Sequence, residues 1–148
     1  REMAEQVAIR LRRAGKKTTL VSIYVGFSKQ EARSSIHTQI KIEPTNNTAV
    51  LTNYVLKLFH NKYTSGAVRS VGVNYSGFVD ESFGLISLFD DVDKLEKEER
   101  LQTAIDSIRE QFGFTSLLRA NALEEASRSL ARSKLIGGHS AGGLDGLQ

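Results

Sequence analysis

The sequence predicts an α+β fold: an antiparallel sheet with two helices on one face, followed by a helical C-terminal tail. Three observations carry that expectation. Residues 1–80 hold two stretches of helical period and three of strand period, in the order helix, strand, strand, helix, strand. Each presents one apolar side, so all five can share a core. The charge also changes sign near residue 80. Arg1 to Asp80 carries 12 Lys and Arg against 5 Asp and Glu, whereas Glu81 to Gln148 carries 8 against 12.

In the first helix Ala4, Val7, Ala8 and Leu11 recur at three- and four-residue spacing, with Glu5, Arg10, Arg12 and Arg13 on the other side. Gly15 and the pair Lys16-Lys17 end it, where the helix dipole favours cations. Thr18 to Ser28 alternates with period two: Val21, Ile23, Val25 and Phe27 against Leu20, Ser22, Tyr24 and Gly26. After a polar turn over Ser28 to Ser34, Ser35 to Ile42 alternates again, with Ile36, Thr38, Ile40 and Ile42 on the apolar side. The two runs read as a hairpin with one greasy and one wet face. Pro44 closes the strand, and Asn46 or Asn47 caps a second helix carrying Val50, Leu51, Tyr54, Val55, Leu58 and Phe59. Gly66 breaks it. Val68 to Tyr75 is the last strand, with Val71, Val73 and Tyr75 inwards. The wet face then carries Ser22, Tyr24, His37, Gln39, Lys41, Ser70 and Asn74, a set of donors without a carboxylate.

These elements give a domain over 1–80, a linker over 81–93 and a helical tail over 94–148 that ends in a Gly-rich segment. The linker holds an apolar plug, Leu85, Ile86, Ser87, Leu88 and Phe89, with Asp90, Asp91 and Asp93 behind it. Too short for a core and too apolar for an ordinary linker, the plug suits a peptide that docks in a groove on another protein. Leu95, Leu101, Ile105, Ile108 and Phe112 mark a charged helix that stops at Gly113, and a second helical pattern lies around Leu123 to Leu135.

The pI near 9.3 belongs to a basic block with an acidic extension, and a basic block suggests a polyanion partner. There is no Cys, which excludes disulfides and thiolate metal sites and fits a reducing compartment. No apolar run approaches membrane-spanning length and no signal-peptide pattern opens the chain. The chain starts at Arg1 directly on a helical pattern, as a piece of a longer protein does. No catalytic set stands out. His37, His60 and His139 lack ligand spacing, and neither a nucleophile elbow nor a phosphate loop is present. The expectation is a binding function.

The run Ala67-Val68-Arg69-Ser70-Val71-Gly72-Val73-Asn74-Tyr75-Ser76 resembles the final strand of the little-finger domain of Y-family lesion-bypass DNA polymerases. The helix Glu2 to Arg13, the strand Val21 to Ser28, the Leu88-Phe89 plug and the tail runs Ala104 to Arg109, Leu118 to Ala120 and Arg132 to His139 follow in the order of the ImpB/MucB/SamB (UmuC-like) group. The resemblance covers nearly the whole chain. It implies a ferredoxin-like little finger that lays its sheet along a primer–template duplex in a bacterial cytoplasm. The catalytic carboxylates, with their Mg²⁺, would lie in an N-terminal part outside this chain, and no cofactor is expected within it.

By the resemblance Arg69, Ser70, Gly72 and Asn74 take phosphate-facing positions, though related enzymes often have a second Arg at Ser70 and a basic residue at Asn74. Lys41, Gln39, Ser22, Lys16 and Lys17 complete the expected DNA-binding set. Four cations, Arg69, Lys41, Lys16 and Lys17, lead to a salt slope near −4. The plug resembles the pentapeptide with which bacterial polymerases bind the sliding clamp, with Leu85 in place of the usual Gln. An accessory subunit is a further possible partner. The resemblance also places a missing first strand between Ser35 to Ile42 and Val68 to Tyr75. That slot would be filled by Phe114 to Leu118, by a second copy in a strand-swapped dimer, or by residues before Arg1. Two other classes compete. A single-strand-binding module would need aromatics on neighbouring strands, where only Tyr24 qualifies, and a structural dimerisation domain would need an apolar open face.

Overall fold

The computed structural model describes residues 1–82, 92–125, 127, 130, 131, 135, 136, 139 and 140. The chain divides into two compact units, Met3–Glu99 with Arg1 and Arg100–Gln148 with Glu2.

In the first unit α1 (Glu2–Arg13), β1 (Lys16–Phe27), β2 (Ser35–Thr45), α2 (Thr48–Lys62) and β3 (Val68–Asp80) follow in the expected order. All strand pairs are antiparallel. Ala4, Ala8 and Leu11 of α1 and Leu51, Val55 and Leu58 of α2 bury against Val21, Ile23, Val25, Phe27, Ile36 and Tyr75, so both helices cover the same face. Gly15 leaves α1 at φ +61°, a conformation that glycine adopts without steric cost. Asn47 caps α2, its side chain accepting from the N–H groups of Ala49 and Val50 at 2.9 and 3.2 Å. Arg12 Nη1 donates to Asn46 O at 2.8 Å and Thr48 Oγ1 at 2.9 Å, fastening the end of α1 to the start of α2. Helix α3 runs from Val92 to Phe112. The first unit reaches into it, and Asn47 Nδ2 donates to Glu98 Oε2 at 3.0 Å.

The strand order is β2-β1-β3. This corrects the expectation of a missing central strand, because the place between Ser35–Thr45 and Val68–Asp80 is held by β1 itself. The physical reason lies in the strands' apolar content. Val21, Ile23 and Val25 are at most 2% exposed and suit the centre, while the inner rows of β2 and β3 are less completely covered and suit the edges. Within this chain Phe114 to Leu118 takes no place in the sheet. Phe114–Ser116 is instead a single 3-10 turn. All three strands run beyond their alternation. β1 begins at Lys16, so Lys16 and Lys17 belong to the sheet and not to the end of α1, whose last turn carries Arg10, Arg12 and Arg13. β2 continues through Pro44 to Thr45, which its edge position allows, since a proline on an outer rim leaves no ladder bond unmade. β3 continues past Tyr75 to Asp80.

Tyr75 is 3% exposed and its Oη donates to Ala4 O at 3.1 Å, tying β3 to α1. Burial raises its pKa well above the ordinary tyrosine range, with Arg12 opposing the shift. A raised folded-state pKa means the folded protein holds the phenolic proton where the unfolded chain has released it. That stability is complete below about pH 10, the unfolded value, and is lost as pH climbs beyond it. Thermal melts should therefore show a fall in Tm above about pH 10 that Tyr75→Phe reduces, at a cost of about 1 kcal/mol at neutral pH. An unchanged alkaline slope in the variant would assign the fall to other groups.

In the second unit α3 ends at Gly113, φ +87°, as its pattern predicts. Arg109 is buried, stands over the Phe114 ring at 4.8 Å and donates from Nε to Leu117 O at 2.9 Å. Of the helical pattern expected around Leu123 to Leu135, the described residues show Leu130 and Ala131 as helical, while Ala120–Leu123 is a 3-10 helix and Leu135–Ile136 is a strand paired with His139–Ser140. A short ladder therefore occupies part of the segment read as a Gly-rich tail.

Candidate nucleic-acid interface

Strand register decides which side chains share the face opposite the helices. Four cross-strand rows follow one another: Gly26 beside Ser35 and Ser70, Tyr24 beside His37 and Gly72, Ser22 beside Gln39 and Asn74, and Leu20 beside Lys41 and Ser76. The face read from alternation is therefore one surface across all three strands. His37, Gln39, Lys41, Ser70 and Asn74 are exposed on it. Its acidic content differs from the expectation at one end. The longer β2 carries an exposed Glu43 two residues beyond Lys41, so the centre lacks carboxylates but the far end does not.

The expected DNA-binding residues separate into three groups. Arg69, Lys41 and Lys17 have no ion-pair partner among the described residues. Arg69 is exposed at the irregular step where Gly26 pairs with Ser70 and Phe27 with Val68, Lys41 stands in the outward row of β2, and Lys17 lies beside Val79. Lys16 pairs with Asp80, so one of the four cations already has a counter-charge, and it lines a cleft between α1 and β3. That cleft, about 340 Å³, is walled by Val7, Leu11, Val73, Tyr75 and Phe78. Ser22 is also committed. It is buried, its Oγ donating to Asn74 O at 3.3 Å and receiving Asn74 Nδ2 at 3.5 Å. Gln39 and Ser70 remain exposed donors, and Gly72 lies beside Tyr24. Leu85, Ile86, Ser87, Leu88 and Phe89 lie outside the described residues.

Tyr24 and Gly26 are the features of the face that a search for basic residues passes over. The Tyr24 ring is 45% exposed in the middle of the central strand. A Cβ on Gly26 would stand 2.5 Å from Ser70 Oγ, 3.0 Å from Tyr24 Oη and 3.2 Å from Tyr24 Cε1, and one on Gly72 would stand 3.5 Å from Tyr24 Cβ. The ring thus lies along the sheet over its own strand. The signal in the sequence is a tyrosine two residues before a glycine within a strand pattern, and glycine inside a strand often marks a close approach. Among the described residues no group of three His, Asp or Glu side chains gathers as metal ligands. Nor, among them, is any helix long and apolar enough to cross a membrane.

A sheet with one face buried under two helices and the other open and polar defines an α+β sandwich domain. Comparison with known proteins gives its family: the model of the impB/mucB/samB family C-terminal domain matches residues 1–88, and the chain belongs to that family, the Y-family polymerase group its sequence resembles. It is 36% identical over 139 residues to the putative UV-damage repair protein UvrX of Bacillus subtilis (strain 168). It is 32% identical over 139 residues to DNA polymerase IV 2 of the same organism. Both alignments cover 93% of this chain and 33% of the relative. DNA polymerase IV of Clostridium acetobutylicum is 28% identical over 126 residues, 85% of this chain and 31% of that protein. The chain spans about a third of the length of the curated relatives it matches.

Proposed function

We propose that this chain is the DNA-holding C-terminal region of a lesion-bypass DNA polymerase, resting the open face of its sheet against the phosphates of a primer–template duplex. The observation that carries this reading is the face itself: Lys41, Gln39, His37 and Ser70 stand on one exposed surface, with no carboxylate in its centre and Arg69 at its border. Phosphates are met by cations and hydroxyl or amide donors, and such contacts fix position without reading sequence. Polymerisation and its Mg²⁺ belong to residues outside this chain, and no residue here is assigned to either. The work is that of a bacterial cytoplasmic repair protein, with the duplex as the principal partner and an accessory subunit as a further one.

The first test is titration of the chain against labelled duplexes of unrelated sequence. Equal affinities that weaken as salt rises are expected. A marked preference for one sequence, or salt-independent binding, would overturn the reading.

Tethering to the sliding clamp is the second part of the proposal and rests on the plug sequence. Burial of Leu88 and Phe89 in an apolar groove would contribute about 2 kcal/mol each, against the cost of ordering the peptide. Replacing both by Ala should abolish clamp binding and leave the melting of the chain unchanged. A lower Tm in that variant would mean that the plug belongs to the core.

A further inference from the structure

Gly26 is the penultimate residue of the central strand, beside the register irregularity at Phe27, and glycine in a strand often marks a close approach. Its φ is not in the left-handed region, so the backbone itself does not demand glycine there. Gly26 is buried, because the Tyr24 ring and Ser70 take up the place a Cβ would fill, so what the missing side chain permits is the convergence of two hydroxyls on the open face. Ser70 Oγ comes from the neighbouring strand, 2.5 Å from the position a Cβ would take, and Tyr24 Oη from the same strand, 3.0 Å from it. Neither hydroxyl has a hydrogen-bond partner among the described residues, so both keep a proton to donate. Arg69 is the chain neighbour of Ser70. Glu31 accepts the Ala67 N–H at 2.7 Å, and Glu43 lies at the opposite end of β2 from Ser35.

We propose that Tyr24 and Ser70, brought together over Gly26, form a seat for one phosphodiester of the bound duplex, with Tyr24 Oη and Ser70 Oγ donating to its non-bridging oxygens. The seat rests on the reading of this face as the DNA-holding surface and adds to it a residue, Tyr24, whose hydroxyl rather than its ring makes the contact. Two neutral donors add affinity without releasing counter-ions, so the seat leaves the salt dependence to the cations. A ring that only covers two glycines would stabilise the sheet equally well as phenylalanine.

The test is fluorescence anisotropy of a labelled 20-base-pair duplex with the whole chain and its Tyr24→Phe, Ser70→Ala, Gly26→Ala and Lys41→Ala variants. Thermal melts of each accompany the titrations. Tyr24→Phe and Ser70→Ala should each weaken binding about fivefold with unchanged Tm and unchanged salt slope, the loss of one hydrogen bond apiece. Gly26→Ala, whose Cβ would push the two hydroxyls apart, should weaken it by a similar factor. Lys41→Ala should weaken binding and flatten the slope by about one. Parent-like binding by Tyr24→Phe and Ser70→Ala, with Lys41→Ala weakened, would refute the seat and leave the DNA-holding face standing. Parent-like binding by all the variants, or no binding by the parent, would overturn the reading of the face itself and the seat with it.

Discussion

Duplex affinity of this chain is expected to fall about 40-fold between 50 and 200 mM salt, from a log–log slope of about −2.7 for three neutralised phosphates. The three cations are Lys17, Lys41 and Arg69, which lack an ion-pair partner among the described residues. Lys16 adds little, because Asp80 already neutralises it and leaves no matching counter-ion to release. The Lys17→Ala/Lys41→Ala/Arg69→Ala variant should lose nearly all salt dependence and most of its affinity. Lys16→Ala should keep the parent slope. A parent slope near −4 that Lys16→Ala flattens by one would mean that DNA displaces Asp80 and recruits Lys16. A slope near zero in the parent would remove the electrostatic basis of the interface.

Leu51→Ala should cost about 3 kcal/mol and lower Tm by on the order of 15 °C, the largest stability effect of a single substitution considered for this chain. Leu51 is 0% exposed on the inner side of α2, within the cluster formed with α1 and all three strands. Truncation removes the apolar atoms and leaves a void that surrounding strands cannot close, since Val21 and Val25 are held in register from both sides. Leu101→Ala is the control. At 62% exposed on α3, Leu101 should change stability by no more than about 0.5 kcal/mol. Equal losses in chemical denaturation for the two variants would contradict the placement of the core. A stable Leu51→Ala protein would do the same.

The elements of residues 1–80, their faces and the ends of the two helices were legible in the sequence, because each is governed by neighbours a few residues away. The period of Ala4, Ala8 and Leu11 forecast α1, Gly15 forecast its end, and Asn47 was one of two forecast caps for α2. Alternation in β1 and β2 forecast the hairpin and the outward row of His37, Gln39 and Lys41, and the resemblance of Ala67 to Ser76 forecast the family.

What only the tertiary structure decided are relations between residues far apart in the chain. Alternation assigns a side chain to a face but says nothing about which strand lies next to which. The central place of β1 emerged only when the burial of all three strands was satisfied together. The continuation of β3 past Tyr75 depends on pairing with Lys16, Lys17 and Thr18, and that same pairing brings Asp80 to Lys16 and withdraws a cation from the candidate interface. Ser22, an outward donor by alternation, is covered because Asn74 on the adjacent strand takes up its hydroxyl. The meeting of Tyr24 and Ser70 over Gly26 spans two strands 40 or more residues apart in sequence. Local periodicity carries no information at that range, whereas hydrogen-bond register between paired strands places each residue against its partner.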